Sequence, residues 1–190
     1  MNKSRVEAFT DAIIAIVMTV LVLGVAQPKS DTWHSLELLL PHLGIYIVSF
    51  IILAIYWNNH HHLFQMVKRV NGSVLWANNF FLLSVSFVPV GSSWISEYPN
   101  SFVPQLFYAV TFLLANSLYL LLTYQLMRAN PEELSISQST IKKNIFSVVI
   151  NLSFIVIGYF TLPILMMIAQ IFVFAFWLIP DRHAEKKINQ

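Results

Sequence analysis

Cysteine is absent from this chain of 190 residues, and only 11% of its residues are charged. Without cysteine there is no disulfide, no thiolate nucleophile and no thiolate ligand for a metal. The net charge of +2 is small, and no basic cluster is interleaved with aromatic residues as in nucleic-acid-binding proteins. These absences exclude cysteine chemistry and predict that nucleic acid is not a partner.

Long apolar runs make up most of what is present. Hydrophobic residues account for 57% of the chain and the mean hydropathy is +0.66, whereas a soluble domain has about 25% charged residues. Because a spanning helix takes about 20 residues, almost nothing is left over for a soluble portion. The sequence predicts an all-α, polytopic membrane protein with a single transmembrane domain over residues 1–190.

Polar breaks divide the apolar runs into six predicted membrane spans. The last two runs are nearly continuous, and we divide them between Gly158 and Pro163 because glycine and proline this close together interrupt helices. Two short antiparallel spans also fit a bilayer, whereas one span of about twice its thickness does not. The predicted spans are about 5–26, 43–66, 72–95, 102–127, 143–159 and 162–179.

The basic residues support six spans and give an orientation. With six spans, ten of the eleven Lys and Arg residues fall on one side of the membrane and only Lys29 falls on the other. Since loops rich in Lys and Arg stay in the cytoplasm, the pattern predicts that both termini are cytoplasmic. The short charged tail after Pro180 would then lie inside.

The first span carries two stripes at helical spacing. At about 100° per residue, a bulky aliphatic stripe runs along one side, with Phe9 and Arg5 below it on nearly the same line. Asp11 points away from that stripe toward partner helices, and an ionisable residue within a span is by default a functional candidate. The small residues of the other stripe allow a neighbouring helix to approach closely. The aliphatic stripe is Ile16, Val20 and Leu23, and the small stripe is Ala8, Ala12, Ala15 and Thr19.

Three adjacent histidines, His60, His61 and His62, lie near the end of the second span. Consecutive residues on a helix point about 100° apart, so they cannot all bind one ion, and the His-Glu-x-x-His spacing of a helical zinc pair is absent. We therefore predict no metal site. We expect instead one buried histidine bonded to a neighbouring helix, and a contact between Asp11 and His60 that offsets the cost of burying the carboxylate.

No arrangement typical of an enzyme is present. The sequence has no nucleophile elbow, no P-loop and no paired carboxylates. The adjacent Asn78 and Asn79, near the start of the third span, are typical of hydrogen bonds between membrane helices. Five well-separated glycines cannot form the Thr-Val-Gly-Tyr-Gly filter of a conventional potassium channel. The internal repeats and interrupted helices of a carrier are not evident. The aliphatic stripe is then either ordinary lipid- or core-facing surface or a functional surface.

Three motifs resemble those of the endolysosomal potassium-channel family, whose bacterial members have a single six-helix repeat. Arg5-x-x-x-Phe9-Thr10-Asp11 resembles the Arg-x-x-x-Phe-Ser-Asp signature on that family's first helix. Trp57-x-x-His60-x-x-Leu63-Phe64, and Asn78 followed by Pro89, resemble its second-helix and third-helix patterns. The resemblance covers at least the first half of the chain, and residues 100–190 contribute little to it beyond their three spans.

This resemblance implies a potassium-permeable cation channel without a P-loop, in which four copies of the chain form a homotetramer around one pore. The first helix of each copy would line the pore, and large aliphatic side chains would form a hydrophobic constriction. A polar network would tie the first helix to the second and third. The matching pore residues are Ile16, Thr19, Val20 and Leu23, and the network residues are Arg5, Phe9, Thr10, Asp11, Trp57, His60 and Asn78.

Two residues depart from the family pattern. Thr10 replaces serine, which keeps the hydroxyl group and adds a methyl group. Val20 stands where a longer aliphatic residue is often found, and its smaller side chain would widen the pore and weaken selectivity.

Taken together, these features predict a potassium-preferring channel in a prokaryotic plasma membrane. Its partners would be other copies of the chain, the lipid bilayer and monovalent cations. Potassium would be the permeant ion, and no cofactor is expected. The alternative is a proton- or ion-coupled secondary transporter that uses Asp11 and His60, and a third interpretation is a membrane scaffold without transport.

Overall fold

The computed structural model describes the backbone of residues 2–178 and, within that range, all side chains except those of residues 133–140. The predicted cytoplasmic tail after Pro180 lies outside the described residues. Within them the fold is all-α, with no strand. The helices are α1 (Lys3–Leu23), α2 (Trp33–Gln65), α3 (Gly72–Val85), α4 (Val88–Glu97), α5 (Phe102–Ala129), α6 (Leu134–Phe160) and α7 (Leu165–Trp177), with a short 3-10 helix at Pro131–Glu133.

Polar side chains fix where the first three helices begin. Asn2, Thr32 and Asn71 each accept a hydrogen bond from a backbone N–H in the first turns of α1, α2 and α3, at 3.2, 3.4 and 3.0 Å. Such a cap satisfies one of the N–H groups that a helix leaves unpaired at its start. The caps therefore set the residue at which each of these helices begins.

α2 begins at Trp33, whereas the second predicted span begins at residue 43. The Thr32 cap starts the helix inside the segment that we expected to link the first two spans. Pro41 lies within the helix and removes one backbone hydrogen bond because it has no N–H, yet the helix continues to Gln65. The outer link is therefore a helical extension of α2, which has 33 residues in all.

The third predicted span consists of two helices in the structure. α3 ends at Val85 and α4 begins at Val88, with Pro89 in the first turn of α4. A continuous helix is interrupted here because proline has no N–H and its ring clashes with the carbonyl four residues earlier. Together the two helices, Gly72–Glu97, are long and apolar enough to cross a membrane.

α6 and α7 form an antiparallel pair separated by a break at residues 161–164. Gly158 permits their close approach, since a Cβ at this position would lie 2.8 Å from Cε and 2.9 Å from Cγ of Met166. α7 has 13 residues, a length of about 20 Å, whereas the hydrocarbon core of a bilayer is about 30 Å thick. Among the described residues, five helical segments are long and apolar enough to cross a membrane, and the sixth predicted span is represented by this shorter apolar helix.

α5 lies at the centre of the bundle and packs against α3, α4, α6 and α7. Aromatic rings fill the space beside it: Tyr56 lies edge-to-face with Phe81 and Phe174, at centroid distances of 5.4 and 5.1 Å. Such pairs contribute about 0.5–1.5 kcal/mol beyond the area that they bury. α1 packs mainly against α2, α3 and α4, so it lies at the edge of the bundle with one face uncovered.

Candidate pore helix and its polar anchors

One face of α1 is buried within the subunit and the rest is not. The buried residues recur at intervals of three and four, as expected for one side of a helix that packs on neighbours. They are Val6, Thr10, Ile14, Val17 and Leu21.

The predicted pore residues lie on the uncovered side of α1. The side chains of Ile16, Val20 and Leu23 are 57%, 41% and 81% exposed. Beside them, the exposed Thr19 donates its hydroxyl hydrogen to the carbonyl oxygen of Ile16 at 2.7 Å. The uncovered side therefore presents aliphatic groups that cannot replace the hydration shell of an ion.

The small stripe is also uncovered. We expected it to pack against another helix, but Ala8, Ala12, Ala15 and Thr19 are all exposed in the subunit. The helices of the same chain pack instead on the face that contains Thr10 and Ile14. Within the described part of one subunit, the small stripe therefore has no helix against it.

A buried chain of hydrogen bonds anchors α1 to α3 and α2. Asn78 Nδ2 donates to Thr10 Oγ1 at 2.9 Å, and Asn78 Oδ1 accepts from His60 Nε2 at 2.9 Å. Because the amide oxygen only accepts, His60 carries a proton on Nε2. All three residues are buried, and the His60 ring stacks on Phe64 at 4.3 Å. The structure thus brings together three of the predicted network residues, one from each of the first three spans.

Asp11 is anchored separately. Its Oδ1 accepts a hydrogen bond from Trp57 Nε1 at 2.8 Å, which joins α1 to α2 at the rim of the uncovered face. The expected contact between Asp11 and His60 is wrong, because each side chain has a different partner. Trp57 and His60 lie one turn apart on α2, so the helix crossing brings the indole of Trp57 to the carboxylate.

Arg5 and Phe9 are predicted network residues that do not join these hydrogen bonds. In the described part of the chain the guanidinium group of Arg5 has no hydrogen-bonding or ion-pair partner, and only its backbone N–H is bonded, to the Asn2 carbonyl oxygen at 3.2 Å. Both residues are exposed and line an open groove of about 660 Å³ between α1 and α3. We call this the α1–α3 groove; it is lined by Arg5, Val6, Phe9, Ile13, Leu75, Asn78, Asn79, Leu82, Leu83 and Ser86.

The three adjacent histidines have separate surroundings. His60 is held by Asn78, whereas His61 Nε2 lies 2.8 Å from Gln65 Nε2 and the His61 ring stacks on Trp57. Among the described residues, no group of three His, Cys, Asp or Glu side chains is placed to hold a metal ion. The geometry of this segment serves contacts between helices.

Two further buried polar clusters join helices whose pairing was not predicted. Ser49 Oγ lies 3.0 Å from Ser92 Oγ and 2.9 Å from Tyr108 Oη, which joins α2 to α4 and α5. In the same way Tyr56 donates to Asn116 Oδ1 at 2.7 Å. Polar residues inside apolar spans were the available signal, but their partners lie more than forty positions away along the chain.

Asn130 connects two loops on the side that we predict to be cytoplasmic. Its Oδ1 accepts from the backbone N–H groups of Lys68 and Arg69 at 3.0 and 2.8 Å, and its Nδ2 donates to the Arg69 carbonyl at 2.9 Å. The α2–α3 loop is thereby fixed to the end of α5.

Comparison with known proteins identifies the group to which this arrangement belongs. Residues 5–89 match the family described as endosomal/lysosomal potassium channel TMEM175. The chain is also 37% identical over 193 residues to a potassium channel of Chryseobacterium sp. (strain P1-3), with 100% of each chain covered. The chain belongs to the TMEM175 family. Membership confirms the family resemblance and the prediction that the chain is not an enzyme.

Other members of the TMEM175 family extend the comparison. The crystal structure of a lysosomal potassium-selective channel TMEM175 homolog from Chamaesiphon minutus matches this chain with a TM-score of 0.82 at 24% identity, covering 93% of this chain and 96% of that one. That match confirms the all-α fold. The endosomal/lysosomal proton channel TMEM175 of Danio rerio is 24% identical over 186 residues, which cover 93% of this chain and 34% of that protein.

Proposed function

We propose that four copies of this TMEM175-family chain form a potassium-permeable cation channel in which α1 of each copy lines a central pore. The observation that carries the proposal is the exposure of Ile16, Val20 and Leu23 on a helix whose opposite face is packed in the bundle. Relatives described as potassium channels, one of them matched over its full length, support the choice of ion.

Rings of aliphatic side chains form the constriction. When four α1 helices surround an axis with the stripe inward, each of Ile16, Val20 and Leu23 contributes a ring of four side chains. Such a ring offers no oxygen to an ion, so permeation depends on the pore radius and on whether the constriction is wetted. The mechanism is therefore a hydrophobic gate rather than a filter of carbonyl groups.

Selectivity follows from the same geometry. Potassium holds its water less tightly than sodium does, so it passes a dry constriction more readily. Without ordered carbonyl ligands the preference is modest, and the short side chain of Val20 in the middle ring lowers it further.

Two hydrogen-bond anchors hold α1 in the orientation that this pore requires. The Thr10–Asn78 bond fixes its rotation against α3, and the Asp11–Trp57 bond fixes it against α2. In the coupled-transporter alternative, Asp11 and His60 would exchange protons or ions. Their separate hydrogen-bond partners favour a role in assembly for both residues.

The channel would lie in the plasma membrane of a prokaryotic cell with both termini in the cytoplasm. The distribution of Lys and Arg supports this orientation, since only Lys29 of the eleven falls on the outer side. The apolar helical segments of the structure support a multi-pass arrangement.

Flux through purified, reconstituted protein tests this function. Vesicles are loaded with potassium or sodium, and a proton gradient is included because the relative in Danio rerio is described as a proton channel. A channel gives current that grows with driving force and exceeds carrier turnover, with potassium ahead of sodium. Saturable flux coupled to protons would support the transporter, and no flux from correctly assembled protein would support a scaffold.

A further inference from the structure

Two surfaces beside the aliphatic stripe of α1 are left uncovered by the subunit itself. On one side lies the α1–α3 groove, which includes Phe9, Ile13 and Leu83. On the other side lies the small stripe, in which Ala8 and Ala15 are exposed. A membrane protein that leaves both a groove and a row of small residues open beside its pore helix has two candidate surfaces for one contact.

The hydrogen bonds of α1 give the order of these surfaces around the helix. The Asp11–Trp57 bond places α2 next to the small stripe, and the Thr10–Asn78 bond places α3 next to the groove. At about 100° per residue, the aliphatic stripe lies between the small stripe and the groove residues Val6 and Ile13, whereas Arg5 and Phe9 continue the line of the aliphatic stripe toward the N-terminus. Going around α1, one therefore meets α2, the small stripe, the aliphatic stripe, the groove and α3.

We propose that the small stripe of each subunit packs into the α1–α3 groove of the next subunit around the ring. This inference rests on the proposed tetramer. If the aliphatic stripes face a common axis, the two flanks of every α1 face its two neighbours. Rotation around a closed ring then brings unlike surfaces together, the small stripe of one copy and the groove of the other.

The shapes of the two surfaces fit this contact. Residues with small side chains let the backbones of membrane helices approach closely, and the small stripe has only Ala and Thr along two turns and more of α1. The groove has about 660 Å³ of open space. It is bordered by two exposed residues, Leu83 near the end of α3 and Ser86 directly after it. The face of α1 with the smallest side chains, the small stripe, thus packs into the open α1–α3 groove.

The charges of the two surfaces are also complementary. The guanidinium group of Arg5, at the N-terminal end of the groove, has no partner among the described residues. Asp11 borders the small stripe and is bonded only through one oxygen to Trp57. In the ring, the borders of the two surfaces therefore carry opposite charges, about two turns apart along α1, and this complementarity favours contact between the unlike surfaces over contact between like ones.

Paired cysteines test the interface in a chain that contains no cysteine of its own. α1 and α3 run in the same direction with Thr10 bonded to Asn78, so Ala15 and Leu83 lie at similar heights. We expect the full-length double variant A15C/L83C, oxidised in native membranes, to give a ladder of covalent dimer, trimer and tetramer. Each single variant should give no covalent dimer, because position 15 meets position 83 and not itself.

A second pair, A12C/N79C, tests the same contact about one turn closer to the N-terminus. It detects the interface if α1 of one subunit and α3 of the next are slightly offset along the membrane normal. Dimers from a single variant would show contact between like surfaces and would overturn the proposal. So would the absence of a ladder from both pairs in protein that light scattering shows to be tetrameric, the result expected if lipid fills the groove. Potassium flux of the reduced variants is measured separately: a ladder without flux would contradict the proposed function and leave the interface supported.

Discussion

Ile14 and Ile16 lie two residues apart on α1 and face opposite surroundings: the side chain of Ile14 is 1% exposed and that of Ile16 is 57% exposed. The pair divides the helix into a face that the subunit needs for packing and a face that it leaves open. Substitutions at the two positions should therefore affect different properties.

Ile14→Ala should lower stability without altering ion preference. It leaves a cavity on the packed face, and truncations of this kind in tightly packed cores cost on the order of 2–5 kcal/mol. The check is the thermal midpoint of the purified tetramer, followed by the potassium-to-sodium flux ratio of the fraction that stays assembled. A changed flux ratio at unchanged stability would place Ile14 in the pore instead.

Asn78→Ala should destabilise the subunit more than Asn79→Ala. Removal of the Asn78 amide leaves Thr10 and His60 without their shared buried partner, and a buried unpaired polar group costs about 1–3 kcal/mol. Asn79 is exposed in the subunit and serves as the control for an amide outside the buried chain of hydrogen bonds, so any loss in that variant is limited to the subunit contact proposed above. Equal thermal midpoints for the two variants would show that the buried chain of hydrogen bonds does not hold α1.

Asp11→Ala and Trp57→Phe should be non-additive. Each removes one partner of the same 2.8 Å hydrogen bond, so the double variant should lose less tetramer stability than the two losses combined, with a coupling of about 0.5–3 kcal/mol. Asp11→Asn keeps an acceptor oxygen and is the milder control. Additive losses would show that the two residues stabilise the tetramer independently of each other. A variant of Asp11 that assembles normally but loses only ion selectivity would identify Asp11 as a carboxylate of the ion filter.

The orientation of the chain can be tested with single thiols because the protein contains no cysteine. We expect an impermeant thiol reagent added to intact cells to label Lys29→Cys and to leave Arg128→Cys unlabelled until the membrane is opened. Lys29 lies in the loop between α1 and α2, Arg128 lies in the last turn of α5, and both side chains are exposed, so the variants should assemble normally. Labelling of position 128 from outside would contradict the six-span arrangement.

Local signals predicted part of the fold well. The apolar runs located α1, α5 and the end of α6, although α6 begins at Leu134 and the fifth predicted span began at about residue 143, and the glycine and proline near residues 158–163 located the turn before α7. The start of α2 was placed too late because hydropathy marks where a helix is apolar, whereas the Thr32 cap marks where it begins. The break before Pro89 was likewise hidden within a continuous apolar run.

The candidate site shows where spacing along the chain is insufficient. The aliphatic stripe could be read from periodicity alone, because exposure on a helix repeats with its turn. The partner of Asp11 could not, since Trp57 and His60 lie one turn apart on α2 and only the crossing of the two helices chooses between them. The bond between Asn78 and Thr10 likewise depends on the relative height of α1 and α3.

The central claim is that the exposed stripe of α1 lines a pore, and matched alanine substitutions on the same helix test it most directly. Ile16→Ala and Leu23→Ala widen and wet the constriction if these side chains face the axis. Val22→Ala is the control, because Val22 is exposed to a similar degree, 50%, but lies off the stripe.

The measurement is potassium and sodium flux through each reconstituted tetramer at equal protein density. We predict that Ile16→Ala and Leu23→Ala raise basal flux and lower the potassium-to-sodium ratio, while Val22→Ala leaves both within error of the unsubstituted protein. Equal changes in all three variants, or no change at Ile16 and Leu23, would contradict the assignment of α1 as the pore helix.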